Sequence, residues 1–173
     1  MALLAIVATN VCLYGQALRS KQGTNGKWGF VNKSTGEVVI PFIYDRVSYF
    51  SDTEDWPTIV EINGKSGYIN KTGKVVIPLK YDQLFGFSEG LAPAKLNGKW
   101  GYIDYEDNVV IPFIYDFVGA FFLKSDPAWG TKAIAGVKLK RKWGYIDNTG
   151  SVVVPIEYSY SKLTDISNSR HFR

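Results

Sequence analysis

One pattern recurs four times in this chain and leaves little freedom for its fold. The clearest copy is Gly98-Lys99-Trp100-Gly101-Tyr102-Ile103-Asp104, running on to Val109-Val110-Ile111-Pro112-Phe113-Ile114-Tyr115-Asp116. The others open at Lys27-Trp28-Gly29-Phe30, Lys65-Ser66-Gly67-Tyr68 and Lys142-Trp143-Gly144-Tyr145, and close around Pro41, Pro78 and Pro155. The tryptophan position repeats after 38, 34 and 43 residues. A period of a few tens of residues marks a repeat architecture, in which each unit needs a neighbour to bury its apolar face.

Within each copy the period is two, as in a strand. Along the second strand one face reads Val38, Ile40, Phe42, Tyr44, and the same slots hold Val75 to Tyr81, Val109 to Tyr115 and Val152 to Tyr158. This face is expected in the core. The other admits Lys80 and Glu157 and is expected to be wet. Pro41, Pro78, Pro112 and Pro155 cannot donate to a ladder, which predicts an edge strand or broken pairing. The recurring Gly29, Gly67, Gly101 and Gly144 predict close approach of backbone or ring. A third strand leads into each copy, as in Thr58 to Ile62, Leu91 to Leu96 and Ala133 to Leu139.

Turn chemistry separates these strands. Asn25-Gly26, Asn63-Gly64 and Asn97-Gly98 suit a two-residue turn with both central residues at positive φ. Lys140-Arg141 holds this place in the fourth copy, so a different geometry is expected there. Asn70 to Gly73 and Asp147 to Gly150 suit a type I turn closed by a left-handed glycine. Asp107-Asn108 replaces that glycine in the third copy with residues that tolerate the conformation better than most. The prediction is all-β: four three-stranded antiparallel meanders, stacked as an elongated twisted array, with a closed propeller-like ring as the alternative. Copies lie near 25–50, 58–87, 91–121 and 133–160.

These words resemble the bacterial WG-containing (KWG) repeat, close to G-K-W-G-Y-I-D followed by V-I-P and Y-D; Phe87-Ser88-Glu89-Gly90-Leu91-Ala92 matches its second word. The resemblance covers roughly residues 25 to 160. It implies a repeat fold and no particular reaction. Departures are Ser66 for tryptophan, Ser159 for the last aspartate, and the absence of the second proline.

Chemistry is sparse. The single cysteine, Cys12, and single histidine, His171, lie near the two ends, which removes thiol–imidazole pairs, histidine metal sites and a disulfide framework. Asp45, Asp82 and Asp116 recur with the repeat and so are expected to be structural, hydrogen-bonding the crossover backbone. Asp52, Glu54 and Asp55 form an acidic loop that could hold a weak calcium ion, against the plainer reading of a solvated loop. Neither catalysis nor a cofactor is expected; a hydrolase using carboxylates is the least favoured reading.

The repeated rings, Trp28, Trp100 and Trp143 with Tyr68, Tyr102 and Tyr145, are expected in the core. Trp56 and Trp129 lie in the variable crossovers, where packing does not require them, and are the candidate contact residues. Lys138, Lys140, Arg141 and Lys142 cluster in the fourth copy, although the net charge of +4 falls short of a nucleic-acid footprint.

Residues 2–14 form the one uninterrupted apolar run, followed by Gly15-Gln16-Ala17. This has the shape of a cleavable secretory signal over residues 1–17, too short to span a membrane and lacking a basic start. The expectation is an exported repeat domain over 18–160, with no integral membrane segment in the mature chain and a polar C-terminal tail over 161–173 that frays over 167–173. Its expected role is to present a surface to a protein partner, or alternatively to an envelope glycan or anionic polymer.

Overall fold

The computed structural model of the chain describes residues 17–126 and 130–168. The leader assigned to 1–17 therefore lies outside the described residues except for Ala17, as do Cys12, Trp129 and His171. Four separate antiparallel sheets follow one another along the chain. The first contains β1 (Leu18–Gln22), β2 (Trp28–Asn32) and β3 (Val38–Tyr44). The second contains β4 (Arg46–Val47), β5 (Thr58–Ile62), β6 (Lys65–Ile69) and β7 (Val75–Tyr81). The third contains β8 (Gln83–Leu84), β9 (Ala92–Leu96), β10 (Lys99–Ile103) and β11 (Val109–Tyr115). The fourth contains β12 (Phe117–Val118), β13 (Phe122–Asp126), β14 (Gly130–Leu139), β15 (Lys142–Asp147) and β16 (Val152–Tyr158), and is followed by α1 (Tyr160–Asn168).

The meander is as expected, with one addition. The chain leaves Tyr44, Tyr81 or Tyr115 and immediately forms a two-residue strand on the next sheet: β4 on β5, β8 on β9, β12 on β14. The crossovers thus begin as sheet and not as free loop. The second enlarged crossover is also sheet, because β13 and β14 pair from Phe122↔Ile134 to Asp126↔Gly130.

The strands that carry Pro41, Pro78, Pro112 and Pro155 are each the edge of their sheet, where a missing N–H costs no ladder bond. Beside it the register jumps, from Trp28↔Tyr44 to Phe30↔Ile40, so β3 bulges opposite Gly29. A Cβ built on Gly29 would lie 2.5 Å from the Ile40 carbonyl oxygen, and one on Gly144 equally close to that of Val154. Only glycine lets the bulged backbone close over the central strand. A second bulge, between Phe30↔Ile40 and Val31↔Val38, corrects one expectation: Ile40 and Tyr44 are buried, but Val38, Val75, Val109 and Val152, assigned to the same face, are exposed. Beyond the bulge the edge strand has turned away from the neighbouring sheet.

The central strand is buried on both sides because successive residues serve different neighbours. Phe30, Ile40 and Tyr44 of the first unit pack on Val60 and Ile69 of the second. Tyr68, Ile77 and Tyr81 of the second pack on Ala94 and Ile103 of the third. Trp100, Tyr102, Ile111 and Tyr115 of the third pack on Ala135, Val137 and Ile146 of the fourth. Trp100, Tyr68, Tyr102 and Tyr145 are core, as expected, whereas Trp28 and Trp143 are only half-buried. Among the described residues no such cluster joins the last unit to the first, so the array is open and not a ring.

Two turns depart from expectation. Asn25-Gly26 is part of a longer loop closed by Gly23 N–H to the Lys27 carbonyl at 2.9 Å, with only Gly26 at positive φ. Lys140 and Arg141, expected to differ, adopt the Asn63-Gly64 geometry with φ of 49° and 69°. The ladder Lys138↔Trp143 and Leu139↔Lys142 leaves room for two residues alone, and the register overrides side-chain preference.

The polar stretch after Ser159 is a helix where a patternless tail was expected. The Ser159 hydroxyl caps it by accepting from the Lys162 N–H at 3.3 Å, and Leu163 is buried against Ile134, Tyr145 and Val154.

Candidate functional site

The recurring aspartates stand where the chain passes between sheets, and each ties two units together. The Asp45 carboxylate accepts from the Lys27 ammonium of its own unit and from the Asn63 N–H in the next unit's turn, at 2.7 Å for the latter. Asp82 accepts from Lys65 at 2.6 Å and from Gly98 N–H at 2.9 Å. Asp116 accepts from Lys99 at 2.6 Å and from the backbone amides of Lys140 and Arg141. The lysine and then these amides hold Asp45 and Asp82 below the usual carboxylate range; Asp116 is lowered first by Lys99. Three carboxylates so engaged are spaced along the array, one per junction.

The acidic loop is engaged in the same manner. Asp52 pairs with Lys33 and Asp55 with Lys71, at 2.5 and 3.0 Å. These lysines sit in the second turns of the first two units, so the loop is pinned by cations where a calcium ion was considered. No group of three or more acidic, histidine or cysteine side chains that could hold a metal occurs among the described residues.

Pinning the loop raises Trp56 over a cleft. Trp56 is 45% exposed, and its ring lies 5.5 Å from Tyr105 in the third unit's turn. Tyr105 stacks on Phe87 at 4.0 Å, and Phe87 meets Tyr68 at 5.1 Å. Beneath them opens a cavity of about 480 Å³ lined by Ser48, Tyr49, Ser51, Glu54, Trp56, Pro57, Thr58 and Phe87 among others. Tyr49 is 81% exposed at its rim, and its carbonyl accepts from the Thr58 hydroxyl at 2.8 Å, which orders the wall. The Tyr68 hydroxyl donates to the Phe85 carbonyl, and burial raises its pKa, so it is a neutral donor and not a base. The cleft therefore offers rings, hydroxyls and one carboxylate, which suits binding by stacking and hydrogen bonds.

Tyr49 and Tyr105 escaped the sequence reading. The signal for Tyr105 was present: it fills a turn slot that holds Lys71 and Asn148 in other copies, so packing the repeat does not require a ring there.

The basic cluster lies elsewhere, at the two-residue turn of the fourth unit. Lys138 stands 5.7 Å over the half-buried Trp143 ring, while Lys140, Arg141 and Lys142 are exposed. Lys142 holds the place of Lys27, Lys65 and Lys99, but Ser159 stands where their aspartates stand. No ion pair engages these four cations among the described residues. Trp143 continues a row of rings: Phe85 on Trp100 at 5.2 Å, Trp100 to Phe117 at 6.3 Å, Phe117 to Trp143 at 5.7 Å and Trp143 to Tyr160 at 5.0 Å. The structure does not bring this cluster and the Trp56 cleft into one site.

The family model described as WG containing repeat matches residues 28–65, 67–100, 100–125 and 143–168. No curated protein and no solved structure matches the chain. No helix among the described residues is long and apolar enough to cross a membrane.

Proposed function

The chain belongs to the WG containing repeat family, and on that premise we propose that it is a non-enzymatic scaffold whose crossover side receives a protein partner in the cleft beneath Trp56. The observation that carries this reading is the position of Trp56 itself. An insertion absent from the shorter junction holds a large ring half in solvent, and two ion pairs fix that insertion to neighbouring turns. Rigid aromatic anchors beside a preformed cavity are what protein interfaces use as hot spots. A second reading, an envelope glycan, is favoured by the hydroxyls of Ser48 and Ser51 and the carboxylate of Glu54 around the ring. The apolar run over residues 2–14 supports export, which would put either partner outside the cytoplasm.

The test is photo-crosslinking from position 49 in the native cell, with the intact chain and with Trp56→Ala, beside a glycan array. A protein adduct formed by the intact chain and lost in Trp56→Ala, with the circular dichroism melt unchanged, supports the scaffold. Adducts indifferent to Trp56 overturn it. Array binding that depends on Trp56 and resists moderate salt moves the assignment to the glycan. Intact mass of the natively expressed protein tests export: a chain beginning near Leu18 supports it, and an intact Met1 in the cytosol sinks it.

A further inference from the structure

The rings around the cleft at Trp56 make a rigid ridge beside an open cavity. Trp56 meets Tyr105 at 5.5 Å, Tyr105 stacks on Phe87 at 4.0 Å, and Tyr49 stands at the rim of the cavity of about 480 Å³. Pro57 confines the backbone at Trp56 to extended conformations, and the ion pairs of Asp52 and Asp55 hold the insertion on either side of Glu54. The ridge therefore stands in place before any ligand arrives.

Its polar groups are spare donors and spare carboxylates. The indole N–H of Trp56 and the hydroxyls of Tyr49 and Tyr105 have no hydrogen-bond partner among the described residues. The Ser51 hydroxyl, by contrast, is taken up by the Thr53 and Glu54 amides. Glu54 lines the cavity, is exposed, and has no ion pair among the described residues, although Asp52 and Asp55 beside it do. Glu89, two residues from Phe87, and Glu106, next to Tyr105, are likewise exposed and unpaired among the described residues.

We infer that this ridge receives a proline-rich segment of the partner, in the extended polyproline conformation and with a basic residue at its flank. The inference rests on the protein-partner reading of the cleft and names the chemistry of the segment it takes. Proline lacks an N–H, and a polyproline helix leaves its carbonyls without internal bonds, so such a ligand needs donors from its receptor and brings few of its own. Its pyrrolidine rings pack into grooves between aromatic side chains, and its stiffness keeps the ordering cost of binding low. The unpaired carboxylates at the border favour a cationic flank over an anionic one.

Fluorescence anisotropy of the full chain decides it, with a set of dye-labelled proline-rich peptides flanked by arginines. Replacing their prolines by alanine should weaken binding about tenfold or more, because apolar ring contacts are lost and a freer backbone must be ordered. Trp56→Ala should abolish binding at an unchanged thermal midpoint. Glu54→Gln should shrink the preference for arginine-flanked over glutamate-flanked peptides. Equal binding of the proline and alanine peptides, no preference between the two flanks, binding indifferent to Trp56, or binding of none of the set overturns the proposal. If Trp56→Ala fails to fold, the alanine and glutamate peptides still decide the matter. The same peptides added to the crosslinking in the native cell extract separate this failure from failure of the cleft itself. An adduct that needs Trp56 but survives saturating proline-rich peptide keeps the protein partner and removes the proline-rich segment. Adducts indifferent to Trp56 remove both, and competition by the proline peptide but not its alanine counterpart supports both.

Discussion

Lys140 and Arg141 show what a single turn can cost. Both sit at positive φ, where a side chain other than glycine or asparagine is strained by roughly 1–2 kcal/mol. The Asp116 carboxylate offsets part of this by accepting their amides. Lys140→Asn with Arg141→Gly should therefore stabilise the protein by about 1 kcal/mol, seen as a higher denaturant midpoint at unchanged m-value. An unchanged or lower midpoint would show that the strain is absorbed elsewhere. Asp107 solves the same problem differently: at φ 68° in a slot that holds Gly73 and Gly150 in other copies, its carboxylate accepts from the Tyr81 hydroxyl at 2.6 Å and pairs with Lys80. Tyr102 is a second test at this scale. Its hydroxyl donates to the Gly119 carbonyl at 2.8 Å, and Tyr102→Phe leaves that carbonyl without this donor, a loss of about 1 kcal/mol. Phe30 has no hydroxyl at the equivalent place, so a nearly silent Tyr102→Phe would mean the bond is dispensable throughout the array.

At the scale of the element, the junction aspartates predict an acid response. Folding lowers the pKa of Asp45, Asp82 and Asp116, so near pH 3–4 the unfolded chain binds more protons than the folded one. Their contribution is complete above about pH 4 and is lost as the pH falls through the folded values. The thermal midpoint should drop below about pH 4, and the triple change to asparagine should flatten that dependence. A triple variant with an undiminished acid slope would place the titrating groups elsewhere; Asp104 is the first candidate, its pKa lowered chiefly by the Asn108 side chain. These aspartates could be read as structural from their recurrence alone. Their actual partners, a lysine some eighteen residues back and an amide in the next unit's turn, depend on how consecutive sheets face each other.

At the scale of the whole molecule, an open array holds its end faces less securely than its interior, because inner units are covered on both sides, while among the described residues the fourth unit packs against α1. Leu163→Asp should strip α1 from Tyr145 and Val154. Hydrogen exchange should then accelerate in β14 to β16 while β2, β6 and β10 keep their protection. Uniform acceleration would show that the four units unfold as one.

The repeat word carried most of the architecture. Period-two burial, edge prolines, glycines under a bulge and left-handed turn residues are local demands, each written in a few adjacent side chains and repeated until they could not be mistaken. The exposure of Trp56 was legible as well, since a ring in a variable crossover serves no repeated packing need. What the sequence could not determine depends on distance between units. The helix after Ser159 has few apolar residues and gains its order from docking Leu163 on the exposed face of the last sheet. The cleft needs Tyr105, 49 residues from Trp56, to be delivered by the stacking of the third unit. Such features are properties of surfaces formed by stacking, and tertiary structure alone decided them.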